Sequence, residues 1–99
     1  MINDDQNTTT SLDLGKIRED IDSVDQQLQQ LINRRAKLAE AVAKAKFAAE
    51  EKPLFYRPER EAQVLRNVME RNEGPLSDAT MARLFREIMS ACLALEAPQ

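Results

Sequence analysis

A row of residues at helical spacing runs through the first half of this 99-residue chain. The spacing alternates between three and four, and the members are Leu14, Ile17, Ile21, Val24, Leu28, Leu31, Arg35, Leu38, Val42, Ala45 and Ala49. This spacing is typical of a helix that is buried along one face, and we call these residues the apolar row. Arg35 is its only polar member. A buried guanidinium is costly unless an anion pairs with it, so the row requires either an internal carboxylate or an anionic ligand.

The helix that carries the apolar row is too long for a small subunit. No proline occurs before Pro53, so we predict one helix over about 13–48. At 1.5 Å per residue it extends roughly 50 Å, whereas the radius of gyration of a compact chain of this length is about 13 Å. The exposed remainder needs a second copy to cover it, which predicts an intertwined homodimer. The alternative is a helix that breaks near Ala43–Ala49 and folds into a monomeric three-helix bundle.

Two shorter helices are predicted after a loop over 50–57. Pro58 suits the first turn of the second helix, and the Asn-Glu-Gly-Pro stretch at 72–75 ends it. Ser77 or Asp78 caps the third helix, and Ser11 or Asp13 caps the first. The inward-facing residues are predicted to be Ala62, Leu65, Val68, Met69, Met81, Leu84, Phe85, Ile88, Met89, Cys92 and Leu95. Residues 1–11 read as a disordered tail, 12–96 as one domain and 97–99 as a short end that could lead into a further domain.

Composition limits the class of protein. Charged residues make up 31% and aromatic residues 4% of the chain, which is typical of an all-α protein. The net charge is −3 with both signs interspersed, so no nucleic-acid partner is expected. One Cys allows no internal disulfide, and without His a zinc site is not expected. No apolar run reaches the roughly 20 residues of a membrane span, and the polar first residues do not resemble a secretory signal. We therefore expect a soluble cytoplasmic protein.

Three cations on the first helix could hold a small anion. Arg35 and Lys46 are 11 residues apart, or about three turns and 16 Å, and project from nearly the same face. Arg18 lies 17 residues before Arg35, rotated by roughly 100° and about 25 Å away. If Arg18 serves the same site, it must come from the partner subunit.

Each candidate residue also has an ordinary structural explanation. Arg18 could form a solvated i,i+4 pair with Asp22, and Lys46 could be a surface lysine whose stem covers apolar surface. Arg35 could form a salt bridge with Glu61 or Glu96. Glu61 could be an ordinary acid in the first turn of a helix, where it favours the helix dipole. Glu96 could belong to a frayed helix end, and Cys92 could be a small buried hydrophobe.

Several stretches together resemble one enzyme family. The stretch over residues 17–46 (IREDIDSVDQQLQQLINRRAKLAEAVAKAK), then YRPERE at 56–61 and LFREIMSACLALE at 84–96, is similar to the all-α (type II) chorismate mutases. The likeness extends to the mutase domains that open bifunctional chorismate mutase/prephenate dehydratase proteins, and it covers about residues 14–96. It implies three helices per subunit, an interlaced homodimer and rearrangement of chorismate to prephenate, a step of phenylalanine and tyrosine biosynthesis. It also leaves open that a prephenate dehydratase domain belongs to the same protein.

The resemblance implies a role for each candidate residue. Arg35 and the partner subunit's Arg18 would bind the two carboxylates of chorismate, and Lys46 would contact a carboxylate and the ether oxygen. Glu61 would accept a hydrogen bond from the ring hydroxyl with help from the backbone of Arg57, while Arg60 would support the carboxylate region less directly. The reaction is an intramolecular [3,3] rearrangement that needs no nucleophile, metal or cofactor. The protein has to orient the substrate and stabilise charge on the ether oxygen.

Two positions depart from the family pattern. Cys92 stands where the family often has Ser, which weakens any hydrogen bond to a carboxylate from this position. Glu96 stands where the family often has Gln, whose amide donates to the ether oxygen at any pH, whereas Glu96 donates only when protonated. We therefore count Lys46, Glu96 and Arg35 as the catalytic residues, and we expect activity that increases as the pH falls.

Two other functions are compatible with parts of the pattern. An isochorismate-pyruvate lyase of the same fold uses related cations for a pericyclic elimination, but Glu61 in its Pro-Glu-Arg-Glu segment favours the mutase. A non-enzymatic helical dimerisation module would carry an apolar residue or Asn at position 35. Arg35 argues against that module.

Overall fold

The computed structural model of the protein describes residues 13–49 and 57–96. These residues form three helices and no strand: α1 is Leu14–Ala49, α2 is Pro58–Arg71 and α3 is Asp78–Glu96. The all-α prediction is confirmed, and the predicted helix bounds agree to within a residue or two. The predicted tail at 1–11, the end at 97–99 and the loop before Arg57 lie outside the described residues. None of the described helices is both long and apolar enough to cross a membrane.

α1 is continuous from Leu14 to Ala49. Asp13 caps it, because its Oδ1 accepts hydrogen bonds from the backbone N–H groups of Gly15 (2.9 Å) and Lys16 (3.4 Å). The alternative of a break near Ala43–Ala49 is wrong, since that stretch is rich in alanine, the strongest helix former. Near the start of α1 a hydrogen-bonded ion pair joins Lys16 Nζ to Asp20 Oδ1 at 3.0 Å, and this hydrogen bond raises the pKa of Lys16.

The chain divides into two units, residues 1–33 and 34–99. In the described part of the first unit the apolar row is exposed throughout. The exposed fractions range from 37% to 58% for Leu14, Ile17, Ile21, Val24, Leu28 and Leu31. Nothing else in this unit covers them, because its described part is a single helix. The start of α1 thus presents an uncovered apolar face.

The second unit contains a helical hairpin made of α2 and α3. Leu65 and Val68 of α2 and Ala82 and Cys92 of α3 are buried. Asn72 connects the two helices: its side-chain amide donates to the Leu76 carbonyl and to Asp78 Oδ1, both at 2.8 Å. The turn also contains a glycine at position 74 with a φ of 78°, which a side chain would oppose.

The buried face of α1 in the second unit differs from the predicted one. The buried residues are Ala39 and Ala43, one position beyond Leu38 and Val42, which are 60% and 46% exposed. The periodicity of the row gives only the average direction of the apolar face, so it does not determine which neighbouring position on the helix is buried. On the other two helices the predicted inward residues Ala62, Leu84 and Leu95 are likewise exposed.

The N-terminus of α3 offers a stability test. Ser77 Oγ accepts the backbone N–H of Thr80 at 3.1 Å, so Ser77 is the cap of this helix. We expect Ser77→Ala to lower the free energy of unfolding by about 1 kcal/mol, measured by urea denaturation. Ser90→Ala is the matched control: Ser90 is exposed inside α3, where alanine is the better helix former, and no loss is expected. Equal losses in both variants would contradict the assigned cap.

Candidate active site

A cavity of about 330 Å³ lies within the second unit, and all three helices contribute to its lining. This volume is within the range of small-molecule sites. The charged side chains of the lining are Arg35, Lys46, Arg57, Arg60, Glu61 and Glu96. Its apolar part consists of Leu38, Ala39, Val42, Val64, Met89, Cys92 and Leu93.

Local helical geometry brings the charged groups together. Three turns of α1 present Arg35 and Lys46 to the same cavity, as their spacing predicted. Arg57 precedes α2 with an extended backbone (φ −125°, ψ 95°), and its carbonyl accepts the N–H of Glu61 at 3.0 Å. The start of α2 therefore brings Arg57, Arg60 and Glu61 to the cavity. At the end of α3, Cys92 and Glu96 are one turn apart and line the cavity together.

Burial separates the charged lining into two groups. Arg35, Lys46, Glu61 and Glu96 are half-buried, whereas Arg57 and Arg60 are exposed. Charges that are partly removed from water act more strongly on a bound ion than charges in bulk solvent. Cys92 is only 3% exposed, which agrees with its reading as a small buried hydrophobe.

The Arg35 guanidinium has no ion-pair partner among the described carboxylates. Within the part of the chain that the structure describes, it forms no ion pair with Glu61 or Glu96, although all three line the cavity. The proposed structural salt bridge is therefore wrong for the described residues. A half-buried guanidinium in a partly apolar cavity suits an incoming anion, and the carboxylates can accept hydrogen bonds from a hydroxyl group. No cluster of metal-ligating side chains occurs among residues 13–49 and 57–96.

Arg18 does not belong to the lining of the cavity. It is an exposed residue of the first unit. The alternative role is not found either, because in the described residues Arg18 makes no ion pair with Asp22. Its predicted contribution from a partner subunit stays a prediction.

The sequence interpretation missed three apolar residues of the lining, namely Ala39, Val64 and Leu93. Val64 lies three residues after Glu61, and Leu93 lies four residues after Met89, so both extend a helical face that already carried a lining residue. That spacing was the available signal. It was weak because both residues fall beside the stripes that were assigned to the core.

Comparison with known proteins decides the family. The sequence profile described as "Chorismate mutase type II" matches residues 17–97. The chain belongs to this family. Its membership accounts for the three-helix fold.

Curated relatives of this chain are longer proteins. The chain is 54% identical over 88 residues to the bifunctional chorismate mutase/prephenate dehydratase of Stutzerimonas stutzeri, with 86% of this chain and 24% of that protein covered. The protein of the same name from Pseudomonas aeruginosa is 53% identical with the same coverage. The chain thus spans about a quarter of the length of these relatives.

Solved structures support the fold assignment. The chorismate mutase (form II) of Thermus thermophilus superimposes with a TM-score of 0.81 at 29% identity, covering 87% of this chain and 96% of that one. Form I of the same mutase gives a TM-score of 0.75 at 26% identity, covering 80% of this chain and 96% of that one. The described helices therefore have the arrangement of an all-α chorismate mutase.

Proposed function

We propose that the cavity binds chorismate and converts it to prephenate. In this rearrangement the ether C–O bond breaks while a C–C bond forms within the same molecule, so no group is transferred to the protein. The observation that carries the proposal is the convergence of Arg35, Lys46, Glu61 and Glu96 on one cavity with apolar walls. The two positive charges complement the two negative charges of a dicarboxylate substrate. The apolar walls restrict the motion of the flexible enolpyruvyl arm of chorismate.

The two half-buried cations have different tasks in this proposal. Arg35 binds a carboxylate, for which its planar fork of N–H donors is suited. Lys46 contacts a carboxylate and donates to the ether oxygen, where negative charge develops as the C–O bond breaks. Such a donor acts most strongly where water is excluded, and the apolar residues Leu38, Val42 and Leu93 line the same cavity.

The remaining lining residues orient the substrate. Glu61 accepts a hydrogen bond from the ring hydroxyl, with the backbone of Arg57 beside it, and Arg60 supports the carboxylate region from an exposed position. Cys92 gives at most a weak hydrogen bond to a carboxylate. Glu96 donates to the ether oxygen in its protonated form and would repel the developing charge when ionised.

The functional unit in this proposal is a homodimer that shares Arg18 across the interface. The exposed apolar row from Leu14 to Leu31 supports it, since a second copy of α1 would bury that face. Arg18 lies next to Ile17 of the row and would reach the partner subunit's cavity as a second carboxylate ligand.

The chain is proposed to be the mutase part of a longer protein that also carries a prephenate dehydratase domain, as its curated relatives do by name. Its proposed location is the cytoplasm. The single cysteine of this sequence allows no internal disulfide, which is the usual composition of cytoplasmic chains.

Removing either half-buried cation should abolish most of the activity. We expect Arg35→Gln and Lys46→Gln each to lower kcat/KM by at least about 100-fold, because each removes a charge-assisted contact to the substrate. Arg34→Gln and Lys44→Gln remove the same charge from positions outside the cavity lining and should change kcat/KM little. Chorismate consumption is followed by ultraviolet absorbance with product analysis. Salicylate and pyruvate from isochorismate would instead assign the lyase, and no turnover of either substrate would favour the dimerisation module.

Glu96 should make the rate dependent on pH. Only the protonated carboxyl can donate to the ether oxygen, so kcat/KM should increase as the pH falls through the acid range. Glu96→Gln should flatten this profile because an amide donates at every pH, whereas Glu87→Gln, on the exposed side of α3, should leave it unchanged. A flat wild-type profile would exclude the proposed role of Glu96.

Mixing two inactive variants tests whether Arg18 acts across the interface. We expect Arg18→Ala and Arg35→Ala to be nearly inactive separately. After their subunits are exchanged, half of the dimers are mixed and each has one intact site, so about a quarter of the wild-type activity should return. A mixture of Arg35→Ala and Lys46→Gln is the control, since both residues belong to the same subunit's site and no activity should return. Failure of the first mixture despite subunit exchange would contradict a shared site.

A further inference from the structure

The cavity and the rest of the chain have opposite charge. Four cationic side chains and two carboxylates line the cavity, whereas the net charge of the whole chain is −3. Acidic residues therefore predominate over basic ones outside the lining. Because cations outnumber carboxylates in the lining, the cavity carries a net positive charge, and its partly apolar walls strengthen the attraction of this charge for a dianion.

Arg57 lies at the solvent edge of that positive lining. Its side chain is exposed, unlike those of Arg35 and Lys46, and in the described residues it forms no ion pair with Glu59 or Glu61. The function proposed above uses only its backbone, and the charge of its guanidinium has no assigned role. A cation that is not paired with a carboxylate of the described residues can contribute its charge to the attraction of a distant anion.

We propose that the Arg57 guanidinium is an electrostatic steering residue that attracts the dianionic substrate to the cavity. The inference rests on the proposed function, because it presupposes a dicarboxylate substrate. The field of Arg57 favours both the approach and the binding of the dianion, and it acts equally on bound substrate and transition state, so its effect should appear in kcat/KM through KM. Its action should be strong at low ionic strength and weak at high ionic strength, where the Debye length falls to a few Å.

The test compares Arg57→Gln with wild-type enzyme at two ionic strengths. At about 20 mM, we expect Arg57→Gln to lower kcat/KM roughly three- to tenfold through a higher KM, since steering by charged clefts has effects of this size or larger. At about 500 mM the difference should shrink to less than about twofold. Arg57→Lys keeps the charge and should retain the wild-type salt dependence. Arg83→Gln removes the same charge from an exposed residue of α3 outside the lining and should have no such effect.

Each contrary result has a defined meaning. An equal loss of kcat at both ionic strengths would show that Arg57 touches the reacting substrate and would overturn steering. An unchanged kcat/KM at low salt, or an equal effect of Arg83→Gln, would overturn it as well. Failure of wild-type enzyme to form prephenate would instead refute the proposed function before any variant is compared. Circular dichroism spectra verify folding, and Arg57→Met serves as a second neutral variant.

Discussion

The uninterrupted α1 helix is the constraint on which the rest of this structure depends. One element carries the exposed apolar row over Leu14–Leu31 and also the cavity cations Arg35 and Lys46. The proposed dimerisation and the proposed substrate binding therefore depend on the same helix.

The positive charge of Arg35 in the cavity is not paired with a carboxylate of the described residues. A salt bridge from Arg35 to Glu61 or Glu96 would have neutralised the site, and a buried pair of that kind adds little stability. Without it, the half-buried guanidinium is available to a ligand. In the proposed function, Glu61 accepts a hydrogen bond from a hydroxyl group and Glu96 donates one when it is protonated. The arrangement favours a reaction that requires orientation and charge stabilisation rather than a nucleophile.

The charged residues of the site were accessible from the sequence, whereas its apolar walls were not. Arg35, Lys46, Glu61 and Glu96 were identified by their spacing together with the family resemblance, and the structure brings these four to one cavity. Val64 and Leu93 gave no comparable signal because an apolar residue on a helix is compatible with a core, an interface or a cavity wall. The choice depends on where the neighbouring helices run.

By itself the sequence determined the helices and their ends. Pro58 at the start of α2 and the caps Asp13 and Ser77 act through local backbone geometry and need no tertiary partner. The spacing of the apolar row indicates an amphipathic helix, although that helix gains stability only when its apolar face is covered. Only the tertiary structure decided that Ala39 and Ala43 are buried in place of Leu38 and Val42, and that Arg35 has no carboxylate partner within the described ranges. Periodicity gives the direction of an apolar face only on average. The rotation of a helix against its neighbours is set by packing, which a one-dimensional pattern does not contain.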